Sequence, residues 1–429
     1  MFKSGILTHD IFSWFLSGKY WMSHEWLFEI IIYGLKLVFG SIHSIIYCFV
    51  CLCSLFLIIF FSNKKNMIKN IPFTLLFLLM FSLLSFGYIQ VRPHMISFIF
   101  ITLFIYFLYD LYKNKDSKKI YFLPLVAVLW SNVHGGSSNL SYLLCLLFFI
   151  GGLFSFNFNK IEAKRLDKKQ LQKYLIVMFL CMISVCINVH GFKMFIYPYE
   201  NMLDTTMISS IVEWQSTSLN EWYHYTYFIF IIIMVLVMLF SDKKIEFIDF
   251  LLLGFCTYLG LKSIRFWLYS PIIMSYVIFN YVNNRKLDKG TYGVIGLISI
   301  SLFGVFIYNF KNITDIKYSV NLNKDIIDII KRENPKRLFN MYNYGGELIY
   351  NDIKVFIDGR ADLYSKYNYK DALNISNLNE DYVKLINKYD FDYFLVSKDY
   401  SINTYLKYND DYEVIYQNKE LSLYKKIVN

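Results

Sequence analysis

Long apolar runs alternate with short polar linkers along the chain up to about residue 310. A helix of roughly 20 apolar residues crosses a bilayer. Runs near this length cover 41–61, 71–90, 94–112, 120–134, 138–157, 174–190, 225–241, 247–264, 265–282 and 291–309. The pattern predicts about ten transmembrane helices. Segment 120–134 is short and contains Pro124, so a re-entrant or tilted helix is the alternative there.

The segment before the first run has a different pattern. Residues 26–39 are apolar but too short to span a membrane, and Glu29 and Lys36 lie two turns apart on one helical face. This pattern is typical of an interfacial helix that lies along a membrane surface. Residues 1–25 contain no continuous apolar stretch and no visible signal peptide, and we expect them to form a loop before this helix.

From residue 310 onward the pattern changes to that of a small α/β domain. It predicts a helix at 323–333, strands at 337–342, 354–357 and 393–396, a turn at 344–346 that opens a short helix, and a hairpin of 412–416 with 422–425 around Asn418. We therefore expect an α-helical polytopic membrane domain at 1–310, with outer loop 1–25 and interfacial helix 26–39, and an α/β domain at 311–429.

Two kinds of linker alternate between the apolar runs. One kind is basic, with Lys64, Lys65 and Lys69; Lys113, Lys115, Lys118 and Lys119; Lys160, Lys164, Arg165, Lys168, Lys169 and Lys173; Lys243 and Lys244; Arg285, Lys286 and Lys289. The positive-inside rule predicts that these linkers face the cytoplasm. The other linkers and the C-terminal domain are then expected on the extracytoplasmic side of the plasma membrane.

Composition agrees with a membrane protein. The chain is 56% hydrophobic and 20% aromatic, which exceeds what one soluble core hides. Residues from 310 onward contain 18 basic and 18 acidic side chains, so the net charge of +10 comes from the rest of the chain. Basic linkers beside anionic lipid explain that excess, and nucleic-acid binding is not indicated. All seven cysteines lie in apolar runs, so no metal-type cysteine pair is available, and the sequence leaves the need for a divalent metal open.

The second kind of linker carries ionisable side chains at membrane ends, where they are costly unless paired or functional. Arg and His suit a phosphate group, and a carboxylate can accept a proton from an attacking hydroxyl. Candidate bases are Asp10, Glu25 and Glu213; candidate phosphate ligands are Arg92, His94, His134, His190 and Arg265; further polar candidates are His9, His24, Asn132 and Asn188. Lipid-headgroup anchors and helix caps are the alternative interpretation of these residues.

One loop of the C-terminal domain is a separate candidate. Asp358, Arg360 and Asp362 follow a predicted strand, and loops at the carboxyl ends of strands often bind ligands. Acceptor recognition or a lid over the membrane site is one interpretation. A turn held by local pairing of Arg360 with Asp358 or Asp362 is the other.

Several segments resemble a family of bacterial polytopic membrane proteins, in the same order along nearly the whole chain. They are His9-Asp-Ile-Phe-Ser-Trp14, Trp21-Met-Ser-His-Glu-Trp-Leu27, Arg92-Pro93, Trp130-Ser-Asn-Val-His-Gly135, Glu213-Trp214, Ser263-Ile-Arg265, Tyr344-Gly-Gly346 and Phe356-Ile-Asp-Gly-Arg-Ala-Asp362. That family is similar to the GT-C glycosyltransferases, the superfamily of dolichyl-phosphate-mannose protein mannosyltransferases. The resemblance implies a polyprenyl-phosphate sugar donor, an acidic residue in the first outer loop and an interfacial helix beside it.

The chain departs from this family at its start. Family members usually begin with a transmembrane helix and an Asp-containing stretch upstream of the segment that matches Met1 to Trp14, and this sequence has neither. Asp10 is then a substitute candidate for the base, and an N-terminal truncation is the expectation that the departure suggests.

The sequence thus predicts a membrane glycosyltransferase that uses a lipid-linked sugar donor on the outer side. A transporter or lipid flippase is the competing class, which would place polar groups near the bilayer midplane and broken helices in paired halves. An inactive family member that acts as a scaffold is the third hypothesis. The donor sugar, the acceptor and any protein partner are not specified by the sequence.

Overall fold

A computed structural model of the chain describes residues 5–85, 88–282 and 322–427. The contacts divide the chain into two compact units. We call residues 24–203 and 211–312 the bundle unit, and residues 1–23, 204–210 and 313–429 the tail unit. The predicted span at 291–309 and the last basic linker lie outside the described residues.

The structure is mostly helical, as the apolar runs predict. Its helices up to residue 282 are α1 Trp26–Phe39, α2 His43–Lys69, α3 Ile71–Ser85, α4 His94–Lys113, α5 Leu123–Val133, α6 Leu140–Leu153, α7 Lys168–Val185, α8 Phe192–Leu203, α9 Thr205–Ser210 (in the tail unit), α10 Tyr225–Leu239, α11 Phe247–Lys262 and α12 Tyr269–Val277. Helix α8 was not among the predicted elements, because its alternation of apolar and polar residues is too mixed for a membrane span.

Four helical segments among the described residues are long and apolar enough to cross a membrane: Trp26–Lys69, His94–Lys113, Gly135–Leu153 and Trp222–Leu239. The first of these joins α1 and α2 through a 3₁₀ turn at Gly40–Ile42, where Gly40 has a φ of 57°. The segments Ile71–Ser85 and Lys119–Val133 are shorter apolar helices. The total of about ten spans and the interfacial position of α1 stay predictions.

Three of the basic linkers meet at one end of the bundle unit. A small sheet of β1 Phe156–Phe158, β2 Ile161–Ala163 and β3 Ile245–Glu246 joins two of them, because β2 and β3 pair in parallel. The Lys173 ammonium donates to the carbonyl of Lys115 over 2.8 Å, which attaches the third linker. This sheet was not predicted, since strands of two or three residues leave almost no periodic signal.

The tail unit contains a four-stranded sheet with helices around it. Strands β4 Leu338–Asn340, β5 Tyr393–Ser397, β6 Tyr412–Gln417 and β7 Leu421–Lys426 lie in the order β4-β5-β7-β6. β4 and β5 are parallel, and the other pairs are antiparallel. The remaining helices are α13 Lys324–Glu333, α14 Gly345–Tyr350, α15 Ala361–Tyr364, α16 Tyr369–Asn377, α17 Tyr382–Tyr389 and α18 Ser401–Lys407.

The sequence predicted the regular parts of this unit better than its irregular ones. The hairpin around Asn418 is confirmed, and the Asn418 side chain accepts hydrogen bonds from the backbone of Glu420 and Leu421. The strand predicted at 354–357 is wrong as a member of the sheet. Val355 instead forms an isolated bridge with Ser13, whose segment supplies the partner that a sheet neighbour would have supplied.

The N-terminal segment packs within the tail unit. The Trp14 indole N–H donates to the carbonyl of Leu338 over 3.0 Å, and its ring stacks on Phe356 with centroids 5.6 Å apart. Phe15 contacts the Phe356 ring at a tilt of 51° and the Tyr389 ring edge-on. The sequence pattern predicted that residues 1–25 belong to the membrane domain, whereas the contacts group residues 5–23 with the C-terminal domain. Aromatic burial explains the difference, because these rings find an aromatic core in the tail.

Labelling of single cysteines in a cysteine-free background would test the sidedness of the bundle unit. We expect a membrane-impermeant maleimide to label Ser216→Cys and Glu221→Cys on intact cells, because both lie on linkers without lysine clusters. Asp116→Cys and Asp242→Cys, beside the basic linkers, should react only after permeabilisation. Labelling of all four variants on intact cells would contradict the predicted topology.

Candidate functional site

Glu25 lies at the start of α1 with a histidine on either side of its carboxylate. Its Oε1 atom is 3.3 Å from Nε2 of His24 and 4.0 Å from Nε2 of His134. The Nδ1 atom of His24 is 2.8 Å from the hydroxyl of Tyr197 on α8. The Glu25 side chain keeps 29% of its surface exposed, so it is only partly enclosed by the bundle unit.

His134 is completely buried and fully hydrogen-bonded. Arg265 donates to its Nε2 atom over 3.0 Å, while Nδ1 is 2.6 Å from Ser97 Oγ and 2.8 Å from Ser137 Oγ. A guanidinium group can only donate, so Nε2 must be the unprotonated nitrogen and Nδ1 must carry the proton. The Trp130 indole donates to the same two serine hydroxyls and so holds them in place beside the His134 ring.

Burial and charge fix the protonation states of this pair. Because the Arg265 guanidinium donates to Nε2, the buried His134 ring is neutral in this arrangement. Burial alone would raise the pKa of Glu25, but the positive groups around it, His24 first, outweigh burial and hold it well below the ordinary value. Glu25 is therefore ionised at neutral pH.

Arg265 connects His134 to a second acidic residue. Its guanidinium carbon lies 4.9 Å from the centre of the Trp214 ring, a cation–π distance. The neighbouring Glu213 forms an ion pair with Arg92, and its backbone carbonyl accepts a hydrogen bond from Ser263. Arg92 and then Arg265 lower the pKa of Glu213 against the effect of burial. We call the set Glu25, His134, Arg265, Glu213 and Arg92 the polar row.

The other histidine and asparagine candidates hold the surrounding backbone. Asn132 Oδ1 accepts from the Trp26 indole over 3.0 Å and from the Asn188 amide over 3.1 Å. Asn188 Oδ1 accepts from the backbone N–H of His190, and Nε2 of His94 is 2.6 Å from the carbonyl of Tyr88. The sequence Asn-Val-His-Gly occurs twice, at 132–135 and at 188–191. The two segments meet through their asparagines and join the ends of α5 and α7 to the start of α1.

Gly135 allows α8 to approach this network. Its N–H donates to the carbonyl of His24 over 3.1 Å. A Cβ atom at this position would lie 2.3 Å from Sδ of Met194 and 3.2 Å from the same carbonyl, so a larger residue would require the Met194 side chain to move. The glycine after His134 therefore leaves room for the Met194 side chain of α8.

Asp10 has a different setting, inside the tail unit. It is fully buried and accepts hydrogen bonds from the Ser13 hydroxyl and from the backbone of Phe12 and Ser13, and it forms an ion pair with Arg360 at 2.6 Å. Arg360 also binds Asp358 through two nitrogens, at 2.8 and 2.6 Å. The local pairing proposed for this loop is thus present, with Asp10 as an additional partner.

Aromatic rings surround this largely buried arginine, whose side chain is 13% exposed. The Arg360 guanidinium carbon is 4.8 Å from the ring centre of Trp21 and 5.1 Å from that of Phe12. The Tyr364 hydroxyl donates to Asp358 Oδ2 over 2.7 Å. Ser13 and Arg360 lower the pKa of Asp10 although burial opposes them. His9 also belongs to this unit, with its ring against Tyr20, and Asp362 opens α15.

The residues that position the candidates were not predicted from the sequence. Ser97, Ser137 and Tyr197 carry no charge, and serine or tyrosine in an apolar run is common. One signal was available: Ser97 follows His94 by about one helical turn, and Ser137 follows His134 at the same distance. Within the described ranges, no group of three or more His, Cys, Asp or Glu side chains is arranged to hold a metal ion.

Comparisons with known proteins add no family assignment. No protein-family model matches the chain, and no curated protein matches it.

The contacts of Asp10 predict a structural rather than a catalytic defect when it is changed. Asp10→Asn removes one charged partner of buried Arg360, which we expect to cost about 1.5–3 kcal/mol. The thermal unfolding temperature of the full chain in detergent, followed by tryptophan fluorescence, should fall at pH 7. Asp399→Asn, at an exposed position, is the matched control and should have no effect.

The pH dependence has a definite sign. Because folding lowers the pKa of Asp10 below 3.8, its stabilisation is complete above that value and is lost as the pH falls through the lowered pKa. The difference between wild type and Asp10→Asn should therefore shrink only in strong acid. Equal unfolding temperatures at pH 7 would contradict the structural assignment.

Proposed function

We propose that this chain is an integral membrane glycosyltransferase of GT-C type, which transfers a sugar from a polyprenyl-phosphate donor to an acceptor outside the cytoplasm. The polar row is the observation that supports this proposal best. Five separate segments bring two arginines, a neutral histidine and two carboxylates into one connected series. Transfer from a lipid phosphate needs cations for the leaving group and a base for the acceptor.

Arg265 and Arg92 are the proposed ligands of the donor phosphate. Since His134 is neutral and accepts from one Arg265 nitrogen, the guanidinium keeps its full charge and its orientation. Trp214 supports its face. Arg92 is about half exposed and can turn toward a ligand. Charge-assisted hydrogen bonds from two guanidinium groups would stabilise the negative charge that develops on the departing phosphate oxygen.

Glu25 is the proposed base. It is ionised at pH 7 and partly exposed, whereas Asp10 is buried and saturated with hydrogen bonds and Glu213 is paired with Arg92. In the proposed step the acceptor hydroxyl gives its proton to Glu25 as its oxygen bonds to the anomeric carbon. The bond from that carbon to the phosphate oxygen breaks, and the electron pair leaves with the polyprenyl phosphate.

The role of Glu25 can be tested by transfer assays in membranes with radiolabelled polyprenyl-phosphate mannose, glucose or N-acetylglucosamine. Loss of a general base typically costs 10²–10⁴-fold in rate. We expect Glu25→Gln to lower transfer by about that factor while binding of polyprenyl phosphate persists. Glu380→Gln, at an exposed position of the tail unit, is the matched control. Full activity of Glu25→Gln with any donor would exclude it as the base.

The role of Arg265 can be tested without knowledge of the acceptor. A hydrogen bond to a charged group contributes about 1.5–3 kcal/mol, so Arg265→Gln should weaken binding of polyprenyl phosphate about 10- to 100-fold. Native mass spectrometry or a scintillation proximity assay measures this affinity. Arg332→Gln, an equivalent change at a largely exposed arginine, should leave it unchanged. Equal affinity of all three proteins would contradict the proposed phosphate site.

A further inference from the structure

Helix α8 exposes an apolar stripe along its whole length. Phe192, Ile196, Tyr199 and Leu203 are exposed, with 65% and 75% of the first and last accessible. At 100° per residue these four side chains lie within about 60° of one another. An exposed stripe of this kind on an otherwise packed helix needs an occupant, because a surface of large apolar side chains is unfavourable in water.

The rest of the helix is divided between protein and polar surface. Met194, Tyr197, Pro198 and Asn201 are buried and lie on the face opposite the stripe. Lys193 and Glu200 are exposed on the flank between these two faces. A helix with a protein-facing side, an apolar side and one polar flank fits a position at the boundary between lipid and water.

The preceding helix indicates which occupant covers the stripe. On α7, Ile176, Phe179, Leu180 and Ile183 form an exposed apolar ridge at helical spacing, and Ile187 and Val189 in the connecting loop are exposed as well. The ridge therefore runs from α7 through the loop to Phe192 at the start of α8. One apolar environment that covers both α7, where the sequence predicts a span at 174–190, and α8 accounts for the whole surface. A bilayer is such an environment.

The protein-facing side of α8 contacts His24 and Gly135, which are next to Glu25 and His134 in the sequence. The Tyr197 hydroxyl is 2.8 Å from Nδ1 of His24, and the other ring nitrogen of His24, Nε2, lies 3.3 Å from the Glu25 carboxylate. Met194 fills the space left open at Gly135. One face of a twelve-residue helix thus contacts the candidate site, and the opposite face is apolar and exposed.

We propose that α8 lies in the membrane–water interface with its stripe of Phe192, Ile196, Tyr199 and Leu203 in contact with lipid, and that the bilayer surface thereby helps to hold Tyr197 against His24. The inference requires only that the bundle unit is embedded in a membrane. It is independent of the proposed transfer reaction, and its test does not use transfer activity.

Spin labels on the full chain in vesicles of phosphatidylethanolamine and phosphatidylglycerol would test the inference. The native cysteines are replaced, and single cysteines are introduced as Ile196→Cys and Leu203→Cys on the stripe and Lys193→Cys and Glu200→Cys on the flank. We expect the stripe labels to be relaxed more by oxygen, which partitions into lipid, than by a water-soluble nickel chelate. The flank labels should show the reverse order.

Two results would overturn the proposal. Stripe labels as accessible to the nickel chelate as the flank labels would place α8 in water. Stripe labels protected from both reagents would mean that protein covers the stripe, either from this chain or from a second copy.

A second measurement keeps the native cysteines. Photoreactive p-benzoylphenylalanine in place of Ile196 should give an adduct with the mass of a phospholipid, whereas the same residue in place of Glu200 should not. An adduct of position 196 with protein, or equal lipid adducts at both positions, would contradict the proposal.

Discussion

The hydrogen bond from Arg265 to His134 is the contact on which the candidate site depends. It requires a neutral imidazole with its proton on Nδ1, and the buried serine hydroxyls and Trp130 supply that state. Without it, Arg265 would lose its fixed orientation and Glu25 would face a charged or rotated ring. The polar row is therefore set by uncharged groups inside the bundle as much as by the ionised groups at its surface.

Part of this arrangement could be read from the chain. The alternation of basic and mixed linkers predicted that the ionisable side chains of all the mixed linkers lie on one side of the membrane. Among them, Glu25, Arg92, His134, Glu213 and Arg265 are in one connected series, whereas Asp10 lies in the tail unit. The pattern could not predict which of the mixed-linker residues contact one another's charged groups and which hold the backbone. Asn132 and Asn188 have the same linker positions as the histidines, yet they bind backbone and each other.

In the tail unit the secondary structure was predictable, but the contacts of the candidate residue Asp10 were not. Its helices and hairpin follow from local spacing and turn residues, so most of them were predictable. The association of Asp10 with Arg360 depends on two segments about 350 residues apart, and no local pattern encodes such a pairing. The resemblance to known enzymes drew attention to Asp10 as an acid in the first loop, whereas its surroundings in the tail unit are those of a buried ion pair.

The ion pair of Arg92 with Glu213 has a consequence for any anion that approaches Arg92. The Glu213 carboxylate already occupies the place that a phosphate would take, so an incoming anion must displace it. The binding free energy is then only the difference between the attraction of Arg92 for the anion and its attraction for Glu213. When the anion leaves, Glu213 can form the ion pair with Arg92 again. Such a self-neutralised cation exchanges its anionic ligands readily and does not retain a bound anion.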